Sequence, residues 1–312
     1  MKADADMAAL TTLFDRVHRS YARETCGGAS ERSGITHDHL PFEWSVSLAE
    51  GQVGAVRFIH DLAALQSFGQ SVPALQDFMP VPTAFQELGR MVDGQDRRPA
   101  FRGNFTRWIG AGVGASGRQL KIYLNPWAYF ETLSAATTVG VLGPTLTPAT
   151  LTAARALMDH FTDAWPSMMG WNVDGTGETR AKLYFRVPRT SVDAIAAFLQ
   201  PRESAAMRFL REAVDVKWCG EAHFYIDADN AHGPSTWKVN LNVVSADQCW
   251  LRPEFQTVVA TLPQIATVLS VTASEFPRGS HEVTYVASNG NKHDIYFKPK
   301  RADGHCVESN HP

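Results

Sequence analysis

The sequence predicts an α+β fold in which five strand pairs, ten antiparallel strands in all, alternate with helices. Strand-like segments with a polar centre recur five times: Val56-Arg57-Phe58, Leu120-Lys121-Ile122-Tyr123, Ala181-Lys182-Leu183-Tyr184, Trp237-Lys238-Val239-Asn240 and Asp294-Ile295-Tyr296. Aligned on Arg57, Lys121, Lys182, Lys238 and Asp294, their spacings are 64, 61, 56 and 56 residues. Such a recurrence marks one supersecondary unit used repeatedly. Each segment also follows a second strand candidate across a turn-prone stretch, and helical periodicity fills the intervals between pairs.

Taken in order, residues 6–24 place Leu10, Leu13, Phe14 and Val17 on one helical stripe. Strands are predicted at 41–48 and 53–59, joined through Glu50-Gly51-Gln52, and helices at about 61–68 and 82–93. The second pair, near 104–113 and 118–125, turns at Gly114-Ala115-Ser116-Gly117 and stops at Pro126. A helix near 148–163 leads to strands at 168–173 and 179–187, which turn through Asp174-Gly175-Thr176-Gly177. Helices at about 190–199 and 203–214 precede strands at 219–227 and 235–244. A helix over 253–269 precedes the last pair, 281–287 and 292–298, which turns at Ser288-Asn289-Gly290-Asn291. No Pro/Ser-rich linker divides the chain, so residues 1–299 read as one domain and 300–312 as a polar tail.

Alternate residues of a strand share a face. One face of the second strands is apolar: Leu120, Ile122, Leu124; Ala181, Leu183, Phe185; Trp237, Val239, Leu241; Ile295, Phe297. The other carries Gln119, Lys121, Tyr123; Arg180, Lys182, Tyr184; Thr236, Lys238, Asn240; Lys292, Asp294, Tyr296. In the first pair Phe42, Trp44, Val46 and Leu48 oppose Glu43, Ser45 and Ser47. Helices covering the apolar face leave two arrangements: an open sheet whose polar face is solvated, or a sheet closed on itself with the polar face inside. Ten strands make a barrel wider than the eight whose side chains fill the lumen, so the closed form keeps a ligand cavity.

Bulk properties narrow the function. A net charge of −3 disfavours non-specific binding to nucleic acid or to an anionic membrane. No apolar run of eighteen residues suggests a membrane span, and the start MKADADMAALTTLF lacks the shape of a signal peptide. Cys26, Cys219, Cys249 and Cys306 show no zinc spacing and read as free thiols of a cytoplasmic protein.

A closed lumen displaying Arg57, Lys121, Arg180, Lys182 and Lys238 would be an anion site, because buried cations need a counter-charge. Guanidinium and ammonium groups suit phosphate oxygens. Tyr123 and Tyr184 stand two residues beyond Lys121 and Lys182, and Tyr225, Tyr285 and Tyr296 complete a set of phenols. Aromatic faces stabilise cations by roughly 0.5–2 kcal/mol per contact. Cations to withdraw a diphosphate and phenols to shelter an allyl cation are the inventory of a prenyl-transfer site. Glu43, set among apolar residues, is placed to accept a hydrogen bond from an aromatic N–H.

The K-x-Y strand ends, the R-x-K-x-Y of Arg180–Tyr184, and the pairing of PFE (Glu43) with VRF (Arg57) resemble the ABBA aromatic prenyltransferases, most closely the dimethylallyltryptophan synthase branch. The likeness spans nearly the whole chain as an order of hairpins. It implies a barrel of ten antiparallel strands from five αββα units with helices outside. It implies metal-independent departure of diphosphate and electrophilic substitution on an indole or other aromatic ring. By motif, Arg57, Lys121, Arg180 and Lys182 would hold the diphosphate, with Lys238 as a further cavity cation. Tyr123, Tyr184, Tyr225, Tyr285 and Tyr296 would form a tyrosine shield, and Glu43 would bind the indole nitrogen. No cofactor or metal is implied; prenyl diphosphate is a co-substrate, and the partner is an aromatic small molecule or a peptide.

The chain also departs from that pattern. Asn240 stands where a tyrosine is common, and Arg107 and Trp108 occupy the strand on which indole enzymes carry a proton-accepting lysine. The length matches compact members that act on cyclic peptides or phenols, so a peptide side chain is an alternative acceptor. A non-catalytic carrier of a phosphorylated or lipidic ligand is a second alternative.

Several motifs read as decoys. Gly112-x-Gly114-x-x-Gly117 matches a dinucleotide fingerprint but is followed by strand-like RQLKIYL, so a hairpin turn is expected. Asp227-Ala228-Asp229-Asn230 lacks the further ligands of a calcium loop. There is no DDxxD-type cluster, and His37, His39, His223 and His293 have no metal spacing. Trp165, Trp171 and Trp218 are expected in the core, with an acceptor site as the alternative.

Overall fold

The computed structural model describes residues 2–25, 33, 35, 40–49, 52–62, 68–93, 107–128, 148–161, 164–177, 179–187, 197–198, 222–227, 236–242, 281–288 and 292–299. The elements are α1 (Lys2–Thr25), β1 (Phe42–Ala49), β2 (Gln52–Asp61), α2 (Phe68–Phe78), α3 (Thr83–Asp93), β3 (Arg107–Gly114), β4 (Gly117–Leu124), α4 (Pro148–His160), β5 (Trp165–Val173), β6 (Thr179–Val187), β7 (Ala222–Asp227), β8 (Thr236–Asn242), β9 (His281–Ser288) and β10 (Lys292–Pro299). A short 3₁₀ turn at Pro126–Ala128 follows β4. Of β7, β8 and β9 only the backbone is described.

Every ladder is antiparallel, and each strand pairs with its neighbour in sequence. β10 then pairs back onto β1, with Ser45 opposite Tyr296 and Ser47 opposite Asp294. The hydrogen-bonded order closes into a barrel, which excludes the open-sheet arrangement. Among the described strands, closure leaves no edge for another chain to pair with.

The apolar faces turn outward. Phe42, Trp44, Val46, Val56, Phe58, Ile109, Leu120, Ile122, Met169, Trp171, Ala181, Leu183, Phe185, Ile295 and Phe297 are buried there. Over β1 and β2 the cover is α1, whose stripe Met7, Leu10, Leu13, Phe14 and Val17 is buried as its periodicity predicts. Phe14 meets Phe42 at 5.0 Å, Trp44 at 4.9 Å and Phe58 at 5.4 Å between ring centroids. Burying one such side chain contributes about 1.5–3 kcal/mol. Trp171 belongs to this outer layer, so the core reading holds for it; the side chains of Trp165 and Trp218 lie outside the described residues.

Of the helix expected at 61–68, residues 63–67 lie outside the described residues, and its first position is strand instead. β2 runs on to Asp61, and α2 begins at Phe68 and passes through Pro73. Its first N–H groups are capped from a distance: Asp93 accepts hydrogen bonds from the backbone N–H of Phe68 at 2.7 Å and of Gly69 at 2.9 Å. Arg107 of β3 donates to the same carboxylate at 2.6 Å, tying helix start to barrel wall. Residues 203–214, 253–269 and the tail 300–312, with the predictions made for them, lie outside the described residues.

Candidate functional site

With the apolar faces outside, the alternate residues point toward the barrel axis. Directly opposed residues of neighbouring strands share a face, so the registers trace rows around the inner wall. One row runs Asp61–Trp108–Tyr123–Gly170–Lys182–Asp227. The next runs Ile59–Gly110–Lys121–Asn172–Arg180. Tyr184 lies opposite Tyr225, and Tyr225 opposite Lys238. Tyr296 stands opposite both Ser45 and Tyr285, and Ser45 opposite Arg57. The cations and phenols picked out in the sequence therefore share the inner face of the barrel, in two groups around β4–β6 and β1–β2–β10. The side chains of Tyr225, Lys238 and Tyr285 are outside the described residues, so their ladder positions are what the structure gives.

On the β4–β6 wall Lys121, Arg180 and Lys182 are half-buried. On the same wall stand two phenols, Tyr123 and Tyr184, with ring centroids 6.1 Å apart and edge to face. Trp108 extends the series, 6.3 Å from Tyr123. Burial pushes the Tyr123 hydroxyl up to about 12, against the opposing influence of Arg57 and of a hydrogen bond with Tyr184. Tyr123 is thus a neutral phenol across the physiological range.

Glycine makes room for these rings. A Cβ on Gly170 would lie 3.0 Å from Tyr123 Cδ1, 3.1 Å from Cε1 and 3.4 Å from Tyr184 Cε2. A Cβ on Gly112 would lie 2.3 Å from Arg57 Cγ. The fingerprint glycines are therefore strand and turn residues, as expected. Gly112 and Gly114 are in β3, and Gly117, at φ +90°, closes a tight hairpin. Sequence reasoning missed the second role of this segment. Glycines at every other position, 110, 112 and 114, signal a strand face across which other groups lie close.

On the β1–β2–β10 wall the geometry differs. Arg57 is buried, and its Nη2 donates to Asp294 Oδ1 at 2.6 Å. Asp294 is buried as well. Burial opposes charge on Arg57, but the Asp294 carboxylate, with smaller contributions from Tyr296 and Tyr123, holds it above the usual guanidinium value. The Tyr296 hydroxyl is raised well above a normal phenol, first by burial and then by Asp294. Glu43 is buried on the same inner face and lies within electrostatic range of Tyr296. The Nε–H of Arg57 has no hydrogen-bond partner among the described residues. The sequence marked Asp294 as the one anion of the fivefold alignment; its pairing with Arg57 spans 237 positions, beyond any local signal.

Among the described residues no three His, Cys, Asp or Glu side chains cluster as a metal site, and no helix is long and apolar enough to cross a membrane.

No protein-family model matches the sequence, and no curated protein matches it by sequence. Solved structures do match in three dimensions. A 6-dimethylallyltryptophan synthase from Micromonospora olivasterospora, in complex with DMASPP and Trp, superposes with a TM-score of 0.59 at 16% identity, over 86% of this chain and 84% of that one. AnaPT from Neosartorya fischeri gives 0.59 at 12% identity, over 86% and 80%. The prenyltransferase PriB, in a ternary complex with L-tryptophan and dimethylallyl thiolodiphosphate, gives 0.58 at 17% identity, over 97% and 99%. At these identities the likeness shows that the chain has the fold of these aromatic prenyltransferases.

Proposed function

We propose that this protein is a metal-independent aromatic prenyltransferase, moving a dimethylallyl or longer prenyl group from its diphosphate to an indole or related aromatic acceptor. The observation that carries the reading is the convergence of Lys121, Arg180 and Lys182 with Tyr123 and Tyr184 on one inner wall. The matched structures in complex with tryptophan and a dimethylallyl thiolodiphosphate support it by analogy of fold. In this reading residues 1–299 form a complete ABBA barrel of five αββα units in a soluble cytoplasmic enzyme, and 300–312 form a tail.

The wall chemistry suits each step. Lys121, Arg180 and Lys182, with Arg57 and Lys238, take up the charge that develops on the departing diphosphate, the role a preorganised cationic site performs best. Tyr123 and Tyr184, with Tyr225, Tyr285 and Tyr296, present π faces to the allyl cation. Holding Tyr123 as a neutral phenol matters here, because a phenolate would itself be a nucleophile toward that cation. Glu43 accepts the acceptor's N–H, raising the electron density of the ring that attacks. Transfer of a proton from the alkylated carbon to the released diphosphate or to water restores aromaticity.

The test is incubation with dimethylallyl diphosphate in EDTA and a panel of indoles, phenols and cyclic peptides, read by mass. A gain of one isoprene unit on an aromatic acceptor is the expected result. Diphosphate binding with no product from any acceptor would overturn the reading in favour of a carrier.

A further inference from the structure

Arg57 and Asp294 form an ion pair buried on the inner wall. We propose that Asp294 is a positioning residue that holds the Arg57 guanidinium in the unliganded barrel, and that it sets donor affinity by competing with the diphosphate for that guanidinium. This rests on the prenyl-diphosphate reading above.

Three observations carry the inference. First, the pair is 2.6 Å long, and both partners are buried on the inner face, Arg57 at 8% exposure and Asp294 at 4%. A guanidinium so buried needs a counter-charge, and Asp294 provides it when no ligand is present. Second, the pair leaves Arg57 with an unused donor, since Nε–H meets no partner among the described residues. A buried donor of this kind is satisfied when an acceptor oxygen arrives. Third, the Arg57 stem lies across Gly112 in space that any side chain there would take, a Cβ falling 2.3 Å from Arg57 Cγ, so the lack of a side chain at Gly112 admits this path toward Asp294. The guanidinium is thus aimed and partly satisfied, with one donor in reserve. Tyr123 and Tyr296 lie within its electrostatic range, so an anion bound here is adjacent to the aromatic wall.

An anion arriving at Arg57 meets the Asp294 carboxylate as a like charge. Removing that charge while keeping its shape should strengthen diphosphate binding and weaken the unliganded protein, two effects of opposite sign. A purely structural ion pair would lower both together.

The experiment is thermal denaturation and calorimetric titration of the full chain with inorganic diphosphate, comparing wild type with Asp294→Asn. Asparagine keeps an acceptor for Arg57 Nη2. The variant should melt several degrees lower without ligand. It should bind diphosphate about tenfold tighter, as expected for relief of one screened charge contact, and should recover its melting temperature at saturation. In an Arg57→Met background the same substitution should leave diphosphate affinity nearly unchanged. Equal or weaker binding by Asp294→Asn would overturn the inference. Absence of diphosphate binding by wild type and variant alike would instead overturn the functional reading on which it rests. Should Asp294→Asn fail to fold, Asp294→Ser with the same titration applies the same criterion.

Discussion

The two faces of β2 solve one problem in opposite ways. His60 and Arg57 lie three residues apart, both buried, His60 facing α1 and Arg57 facing the lumen. On the outer face His60 gives up its charge. Burial, and then His18, push its imidazolium down to about 3. Its Nδ1 lies 2.7 Å from the Asp61 carbonyl oxygen and its Nε2 3.0 Å from His18 Nδ1, so a neutral ring with hydrogen on Nδ1 satisfies both contacts. On the inner face Arg57 keeps its charge because Asp294 is there to meet it. On β2, therefore, the outer face gives up charge and packs against α1, whereas the inner face retains charge at some cost in stability. The face that carries this cost is the one on which the proposed site lies.

The largest effect expected is on the inner face and on turnover. Lys182→Ala should lower prenyl transfer by about a hundredfold or more while the far-ultraviolet spectrum stays unchanged, the size seen when one preorganised charge-stabilising donor is lost. An unchanged rate in a mass-detected assay would remove Lys182 from the site.

Next comes the ion pair. Arg57→Met leaves Asp294 buried without its counter-charge and should cost about 3–5 kcal/mol in chemical denaturation. Replacing both by apolar residues of similar volume should restore most of that loss. A third variant separates space from charge. Gly112→Ala puts a Cβ into Arg57 Cγ and 3.1 Å from the Val56 carbonyl oxygen, so it should destabilise by about 1–3 kcal/mol and weaken diphosphate binding with no charge altered.

The outer face gives the smallest effect and a different signature. The unfolded chain binds a proton at His60 near pH 6.5, while the folded chain does so only near 3, so stability falls as pH drops from about 6.5 toward 3. At pH 5 the contribution is a loss of about 2 kcal/mol relative to pH 7.5. His60→Gln should flatten that part of the profile in denaturation series at several pH values. Wild type and variant with the same acid slope would show that another group is responsible.

What was legible in the sequence follows the range of the forces involved. All ten strands announced themselves, because alternation, turn residues and closing prolines are local signals. The α1 stripe was equally plain. The start of α2 was not, since its cap is Asp93, 25 residues away, and Pro73 within the helix argued against it. The cations and phenols of the inner wall were visible as a repeat, and the registers bring Lys121, Arg180, Lys182, Tyr123 and Tyr184 together. The Arg57–Asp294 and His18–His60 contacts were invisible, joining positions 237 and 42 residues apart through barrel closure and helix docking. The glycines of β3 were read for their turn alone, and their service to Arg57 and Tyr123 emerged only once β2, β3 and β4 lay side by side.

The most direct measurement is titration of an unreactive donor, dimethylallyl thiolodiphosphate, into wild type and into the Lys121→Ala/Lys182→Ala double variant, with EDTA present. A lumen lined with charge for a diphosphate predicts one saturable site in wild type and binding weakened by about a hundredfold or more in the variant. Equal affinity in the two proteins, or no binding by either, would contradict it.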